Sequence, residues 1–463
     1  MITAGNIMNF TKIAQTGLQA AQAGLSAAAM NLSNVNTPGY SRQRAEQSAV
    51  STGGNNAYSA GNGVNVDAFK RLSEQYLVSE GWKASSNHQY FSASQNALSK
   101  LEHSLGDKET GLAAGMRAFF NSLSLGSNNP SSPAYREQVV NEAKSLALNF
   151  NYFHQSAQEQ KQVIATQRSA IISQVNGLTQ SINEYNQKIV KLGSDGTNTN
   201  VLQDQRDQLV NKLSEMVDVN VTKGTDGGYN ISMKNGLPLI NGQTVATLAL
   251  NTGSAQPQID IHFAGNSTKI NMSCGASLGS INNYEQGLLK ETESIVQGMA
   301  QLLTTEVNTQ LAAGYDLGGA AGSALFSFDA SNPAGMLSVT DIKPSELGFS
   351  DNATNVGNAT NLHALLALKD KSITISGIGQ TSFSDANTAL VGKVAFTSSD
   401  NKQSITQTKN VLNSVILNRD SLSGVDSDEE GNNILEYSKA YRANMKVISI
   451  GEQLFSDFLA LMR

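Results

Sequence analysis

The sequence is short of most residues that signal chemistry. Its 463 residues contain one cysteine, Cys274, which excludes an intrachain disulfide framework or a cysteine-based zinc site. Cys274 reads as a small apolar residue. The five histidines, His88, His103, His154, His262 and His363, are scattered, and none sits in H-E-x-x-H or beside a cysteine pair. No Walker loop, dinucleotide fingerprint or G-x-S-x-G elbow is present. Charged residues make up only 15 %, against about a quarter in ordinary soluble domains. The net charge of −6 argues against a broad nucleic-acid footprint. No apolar run reaches the roughly 18 residues of a spanning helix, and the N-terminus lacks the basic and apolar regions of a secretory signal.

Two stretches imitate sites. In DSDEEGNNILEY, Asp426, Asp428 and Gly431 occupy the first, third and sixth places of a calcium loop. Tyr437 stands at the twelfth, where a bidentate Glu is required. A helix cap accounts better for these residues: Ser427 and Glu430 form a capping box, and Asp428 and Glu429 favour the dipole's positive end. In QDQRDQ, Arg206 and Asp207 read as helix-surface charges. No catalytic residue, metal or cofactor is expected, and no nucleic-acid or membrane partner.

What the chain does contain is Asn, Gln, Ser, Thr and long helical periodicity. Ile7, Thr11, Ala14, Leu18, Ala21, Leu25, Ala28, Leu32 and Val35 alternate steps of four and three, a heptad seam. Only Lys12 is charged before Arg42, which suits contact on more than one side. The C-terminus repeats the steps through Ile434, Ser438, Tyr441, Met445, Ile448, Glu452, Phe455, Leu459 and Met462, with Tyr437, Ala440, Val447, Leu454, Phe458 and Leu461 alongside. Each seam runs about 43 Å at 1.5 Å per residue. The first is built of small residues and the second of large ones, so the two ends are expected to pair as an antiparallel coiled coil. The plainer alternative is two unrelated amphipathic helices on a core.

The N-terminal helix stops in NLSNVNTPGYSRQ, residues 31–43. Pro38 lacks an amide hydrogen and pushes Thr37 out of helical geometry, while Gly39 takes a positive φ cheaply. Asn31, Asn34 and Asn36 can bond main-chain groups at the helix end. Asn34, Asn36, Thr37, Pro38, Gly39 and Tyr40 are therefore read as a joint.

Inside the chain, Ala143, Phe150, Ala157, Ile164, Ile171, Leu178, Tyr185 and Leu192 recur every seventh place between Pro133 and Gly193. This predicts a rod-like helix of about 90 Å. Residues 201–217 return as a second helix, and 85–105, 112–125, 278–312 and 384–422 also read as helical. Short alternating runs (VDVNV, GYNISMK, LPLI, VATLAL, IDIHF, KINMS) cluster between 218 and 273, and 44–70 is extended. A short helix is expected near Leu362–Lys369.

The expected fold is mainly α with a β insertion: a terminal antiparallel coiled coil, an elongated helical bundle and a small outer β-rich domain. The domains follow. Residues 1–43 pair with 424–463; 44–217 and 275–423 are the two parts of the bundle, the second with a mixed segment at 314–383; 218–274 is the outer β domain.

LSNVNTPGYSRQ after an Ala/Leu/Gln helix closely resembles the N-terminal signature of the bacterial flagellar axial proteins, the rod, hook and hook-associated subunits. GNGVNVDAFKRLSEQYL (61–77), NVLQDQRDQLVNKLSEMVDVNV (200–221) and SLSGVDSDEEGNNILEYSKAYRANMKVISIGEQLF (421–455) resemble segments of the hook-associated branch. The resemblance implies a structural subunit at the hook–filament junction, exported unfolded by the flagellar type III route without cleavage. Implied partners are copies of itself, the hook protein, the second junction protein and an export chaperone on the C-terminal helix. The assembly residues would be Ile7, Leu18, Leu25, Leu32, Val35, Tyr441, Met445, Ile448, Phe455, Phe458 and Leu459. The alternatives are a flagellin-like or second junction subunit, or a secreted coiled-coil effector or adhesin.

Overall fold

The computed structural model describes residues 4–51, 61–107, 111–253, 256–332 and 334–461. Helix α1 (Ala4–Ser33) leads through the joint to a two-stranded ribbon, β1 (Gln43–Ala49) and β2 (Val64–Arg71), antiparallel with a bulge at Glu46/Gln47. Then come α2 (Gln75–Gly106), α3 (Leu112–Gly126), α4 (Pro133–Ser194) and α5 (Asn200–Met216). Pro133 opens α4 at its first turn, where its missing N–H is harmless.

Seven strands follow: β3 (Val219–Lys223), β4 (Tyr229–Met233), β5 (Pro238–Asn241), β6 (Thr244–Val245), β7 (Thr247–Asn251), β8 (Gln258–Phe263) and β9 (Asn266–Asn271). They form a four-stranded sheet in the order β3-β4-β5-β6 and a three-stranded sheet β7-β8-β9. The run VATLAL, which reads as one strand, is divided. Ala246 is buried and donates its N–H to Leu239 O at 2.8 Å, so Val245 and Thr247 fall in different sheets.

Helix α6 (Ala276–Tyr284) passes through a π-helical turn, Glu285–Leu289, into α7 (Lys290–Ala312). The mixed stretch holds the ribbons β10 (Phe326–Phe328) with β11 (Leu337–Val339) and β12 (Ile373–Ile375) with β13 (Gly379–Thr381), and the short helix α8 (Thr360–Ala367) between them. Two long helices, α9 (Phe383–Ser423) and α10 (Ser427–Leu461), end the chain.

Helix α4, some 93 Å long at 1.5 Å per residue, is the spine. Ala143, Phe150, Ala157 and Ile164 are buried as their spacing predicts. Past that point the strict seven-residue repeat fails. Ile171, Leu178, Tyr185 and Leu192 are only half-buried, and Ile172, Val175, Thr179, Ile182 and Ile189 take the interior. A helix with 3.6 residues per turn drifts about 20° per heptad, so the buried line moves one residue along. Where α4 crosses α6 and α7 the contact is partly ionic: Arg168 pairs with Glu285, and Lys161 Nζ lies 2.5 Å from Glu293 Oε2.

The two ends of the chain lie side by side. Thr11 meets Gly451, Gly17 meets Asn444 and Gly24 meets Tyr437. As one residue number rises the other falls, so α1 and α10 form an antiparallel pair. Among the described residues no helix is long and apolar enough to cross a membrane.

Candidate functional site: the terminal helix pair and its joint

The α1–α10 contact is built on missing side chains. A Cβ on Gly24 would stand 2.6 Å from Tyr437 Cε1, and one on Gly17 2.8 Å from Asn444 Oδ1. Ala14, Ala20, Ala21, Ala27 and Ala28 are buried. Small residues on α1 thus let bulkier ones of α10 approach its backbone, and Gly451 returns the favour for Thr11. Of the expected assembly residues, Leu18, Leu25, Tyr441, Ile448 and Phe458 are half-buried along the pair. Leu32, Val35, Met445, Phe455 and Leu459 face outward, from 37 % exposed at Val35 to 50 % at Leu459. The side chains of Ile7 and Leu461 and the whole of Met462 lie outside the described residues.

The joint turns where Gly39 adopts φ 76°. Thr37 N–H donates to Asn34 O at 2.9 Å, and Thr37 Oγ1 to Asn34 Oδ1 at 3.2 Å. Pro38 O accepts Gln208 Nε2 at 2.5 Å. Asn36 is exposed. The centre of the joint is Asn31, a residue outside the expected motif. Its side chain is 1 % exposed and bonds both main-chain groups of Gln43, while Tyr40 Oη donates to its Oδ1 at 2.9 Å. Burial, reinforced by Asp204, pushes the Tyr40 phenol up to about 12.

Two ionic clamps hold this joint, one to the body and one to the start of α10. In the first, Asp204 accepts Ser41 N–H at 3.0 Å and Ser41 Oγ at 2.7 Å, and Arg71 Nη1 reaches Asp204 Oδ1 at 2.8 Å and Asp207 Oδ2 at 2.7 Å. Burial works against the charge of Arg71, but the two carboxylates outweigh it and hold the guanidinium firmly protonated. Arg206 is fully buried, 3.4 Å above the Tyr229 ring, and donates to Asn186 Oδ1 at 3.1 Å and Gly227 O at 2.8 Å. The reading of Arg206 and Asp207 as surface charges is therefore corrected. One turn of α5 is enclosed by β2, the joint and β4, and its charges are internal bolts.

In the second clamp, Arg42 Nη1 donates to Glu429 Oε2 at 2.9 Å, its Nε lies 2.7 Å from Glu430 Oε1, and its N–H donates to Ser423 O at 2.9 Å. Burial opposes this charge too, and the glutamates raise it above the ordinary arginine value. The expected capping box is corrected here. The cap is Asp426, whose Oδ1 accepts the N–H groups of Asp428 and Glu429 at 2.8 and 3.1 Å. Ser427 is the first helical residue, and Glu430, 2 % exposed, turns to Arg42 instead of back to the helix start. The Arg42 guanidinium offers the Glu430 carboxylate a full opposite charge, where the capping bond would offer only a neutral N–H donor. Among the described residues no group of carboxylates, histidines or cysteine could hold a metal ion.

Comparisons with known proteins agree with this geometry. The family model of the flagellar hook-associated protein FlgK helical domain matches residues 98–326. The model of the flagella basal body rod protein matches 12–40, and that of the C-terminal region of the basal body rod FlgEFG proteins matches 419–461, the two partners of the helix pair. Flagellar hook-associated protein 1 of Bacillus subtilis is 28 % identical over 494 residues, 96 % of each chain. That of Escherichia coli is 27 % identical over 540 residues, 96 % of this chain and 98 % of the other. The solved flagellar hook junction protein FlgK from Burkholderia pseudomallei shares the fold, with TM-score 0.66 and 15 % identity, covering 76 % of this chain and all of the other.

Proposed function

We propose that this chain, which is similar to flagellar hook-associated protein 1 over 96 % of its length, serves as a structural subunit at the hook–filament junction. The α1–α10 pair is the assembly element. Its inner face is closed by glycine and alanine, and its outer face leaves Leu32, Val35, Met445, Phe455 and Leu459 for neighbours. That exposed apolar surface on a paired terminus is the observation that carries the reading. A monomer in water gains nothing from exposing it, whereas side-by-side copies bury it. The joint and its two clamps set the angle at which this pair leaves the bundle, so each copy presents the same lattice geometry.

The partners follow from the same surface: copies of the chain, the hook protein on one side and the second junction protein on the other. Before export the C-terminal helix offers Phe455, Phe458 and Leu459 to a chaperone. The place of action is the extracellular flagellum, reached through the flagellar export channel. Nothing in this role calls for catalysis. The domain division stands with it: 1–43 with 424–463 for assembly, 44–217 with 275–423 as the supporting bundle, and 218–274 facing outward.

Deletion of residues 426–463 tests the proposal. Cells should still build hooks and secrete flagellin but carry no attached filaments. Normal filaments and motility would exclude it.

A further inference from the structure

Helices α2 and α9 run antiparallel and are well packed over only part of their length. At one end Leu98, Leu101 and Leu105 of α2 and Phe383, Leu390 and Val394 of α9 belong to one core. Next come polar ties: Asn401 Nδ2 donates to Phe91 O at 2.9 Å and Gln95 Oε1 at 2.7 Å, and His88 Nδ1 lies 3.3 Å from Thr408 Oγ1. Beyond them the helices part. No residue of α9 between Ser398 and Ser423 is buried. The gap is a cleft of about 360 Å³, walled by Leu77, Val78 and Trp82 of α2 and by Leu412, Val415 and Ile416 of α9. Part of its polar lining is already engaged: Asp204 and Asp207 hold Arg71, Trp82 Nε1 donates to Asp207 O at 3.2 Å, and Glu215 accepts Asn211 Nδ2 at 2.8 Å. Asp207 Oδ1 is the one buried lining atom without a hydrogen-bond partner among the described residues, whereas an apolar side chain would find six apolar walls.

We propose that this cleft is the socket for an apolar side chain of a second copy of the chain. The inference rests on the assembly reading and deepens it. The argument is continuity: Pro38, Gly39, Tyr40 and Ser41 of the joint form part of the cleft wall, so a copy packed along the α1–α10 pair arrives at its mouth. The surface next to it is made for contact with protein. Residues 403–418 carry one charge, Lys409, in two consecutive heptads and more of exposed helix, and Val411 and Leu417 are 57 % and 69 % exposed. A helix that stays in water carries charge on its outer face.

Photo-crosslinking in assembled flagella tests this. A benzoylphenylalanine replaces Lys212, which lines the cleft, in the full-length chain. The same probe in place of Met445 reports on the helix pair. Irradiation should join the probe at 212 to a peptide of a second copy, identified by mass spectrometry. A product with any other protein, or no product while the probe at 445 joins two copies, overturns the socket alone. Failure of the probe at 445 to join copies overturns the assembly reading, and the socket with it. Leu412→Asp and Val415→Asp give an independent measure. Each should reduce the fraction of cells bearing attached filaments by about tenfold or more, the loss of one central anchor. Filament attachment at the parental level in both variants overturns the socket.

Discussion

Asn31 closes both main-chain groups of Gln43: its Oδ1 accepts the Gln43 N–H at 2.9 Å and its Nδ2 donates to the Gln43 carbonyl at 2.9 Å. The amide acts as one more strand residue, offered by a helix. The same device recurs among the described residues, with Asn151 on Leu337, Asn176 on Leu248, Asn186 on Tyr229 and Asn308 on Phe326. Each fastens the start of a short strand to a helix, and so accounts for part of the asparagine in the composition. Asn31→Leu leaves the Gln43 N–H and C=O unpaired in a buried place, a cost of about 1–3 kcal/mol. Urea unfolding should show that loss. Asn31→Asp, which keeps the acceptor but has no donor, should also destabilise.

Asp204 meets Ser41 and Arg71 together. Asp204→Ala strips the main partner of Ser41 and half the carboxylate partners of a buried cation. Breaking such a pair costs about 3–5 kcal/mol when no partner remains, and Asp207 keeps the loss nearer the lower figure. The fall in unfolding free energy should therefore exceed that of Lys83→Ala, whose exposed pair with Glu80 contributes about 1 kcal/mol at most.

Gly24 is a notch for Tyr437. Gly24→Val forces the ring aside and should cost about 1–3 kcal/mol by overpacking. Adding Tyr437→Ala should recover part of it, and the coupling should be absent when Gly24→Val is combined with a distant change such as Gly236→Ala. A swarming assay and a double-mutant cycle on chain stability read the two levels.

Alkali should loosen the chain. Burial pushes Tyr229 and Tyr40 up from 10.0 to about 12, and Cys274 up from 9.0 to about 12. A raised acid pKa means that the unfolded chain loses the proton first. The stability these groups lend is whole below their ordinary values and drains away as pH climbs toward 12. Melting temperature should fall steadily above about pH 9. At pH 8 the buried Cys274 thiol should resist iodoacetamide until urea unfolds the chain, and fast labelling of the folded protein would contradict its burial.

Beyond its joint the helix pair touches the rest of the chain along the β1–β2 ribbon, where Val64 N–H donates to Thr16 Oγ1 at 3.2 Å and Gln47 Nε2 to Ala20 O at 3.5 Å. With so exposed an outer face, the pair should be looser than the bundle in the free chain and firm in the assembly. Hydrogen exchange should show amides of α1 and α10 opening faster than those of Ala143–Ile164 in α4. Their protection should rise in isolated hook–filament preparations. Equal, high protection in the free chain would contradict a pair made firm by neighbours.

Much of the architecture is legible in the residues because it rests on local periodicity. Leu18, Leu25, Tyr441 and Ile448 advertise a stripe whatever their partner, and Pro38-Gly39 marks a turn through backbone sterics alone. The cap was displaced by one residue because Ser427 and Asp426 are both good caps, and the choice depended on where Arg42 would draw Glu430. Arg206 and Asp207 look the same on a wet helix face as under a roof of β4 and the joint.

The sequence by itself thus determined the helices, most of their lengths, the turn at Gly39 and the pairing of small with large faces, since these follow from side-chain size and the 3.6-residue turn. Helix α2, expected over 85–105, instead begins at Gln75. Only the tertiary structure decided which charges are buried, that Asn31 holds Gln43, and that α2 and α9 part around an unfilled cleft. Those facts arise from groups more than a hundred residues apart, as Ser41 and Asp204 are, and no local pattern records which distant surface will cover a given side chain.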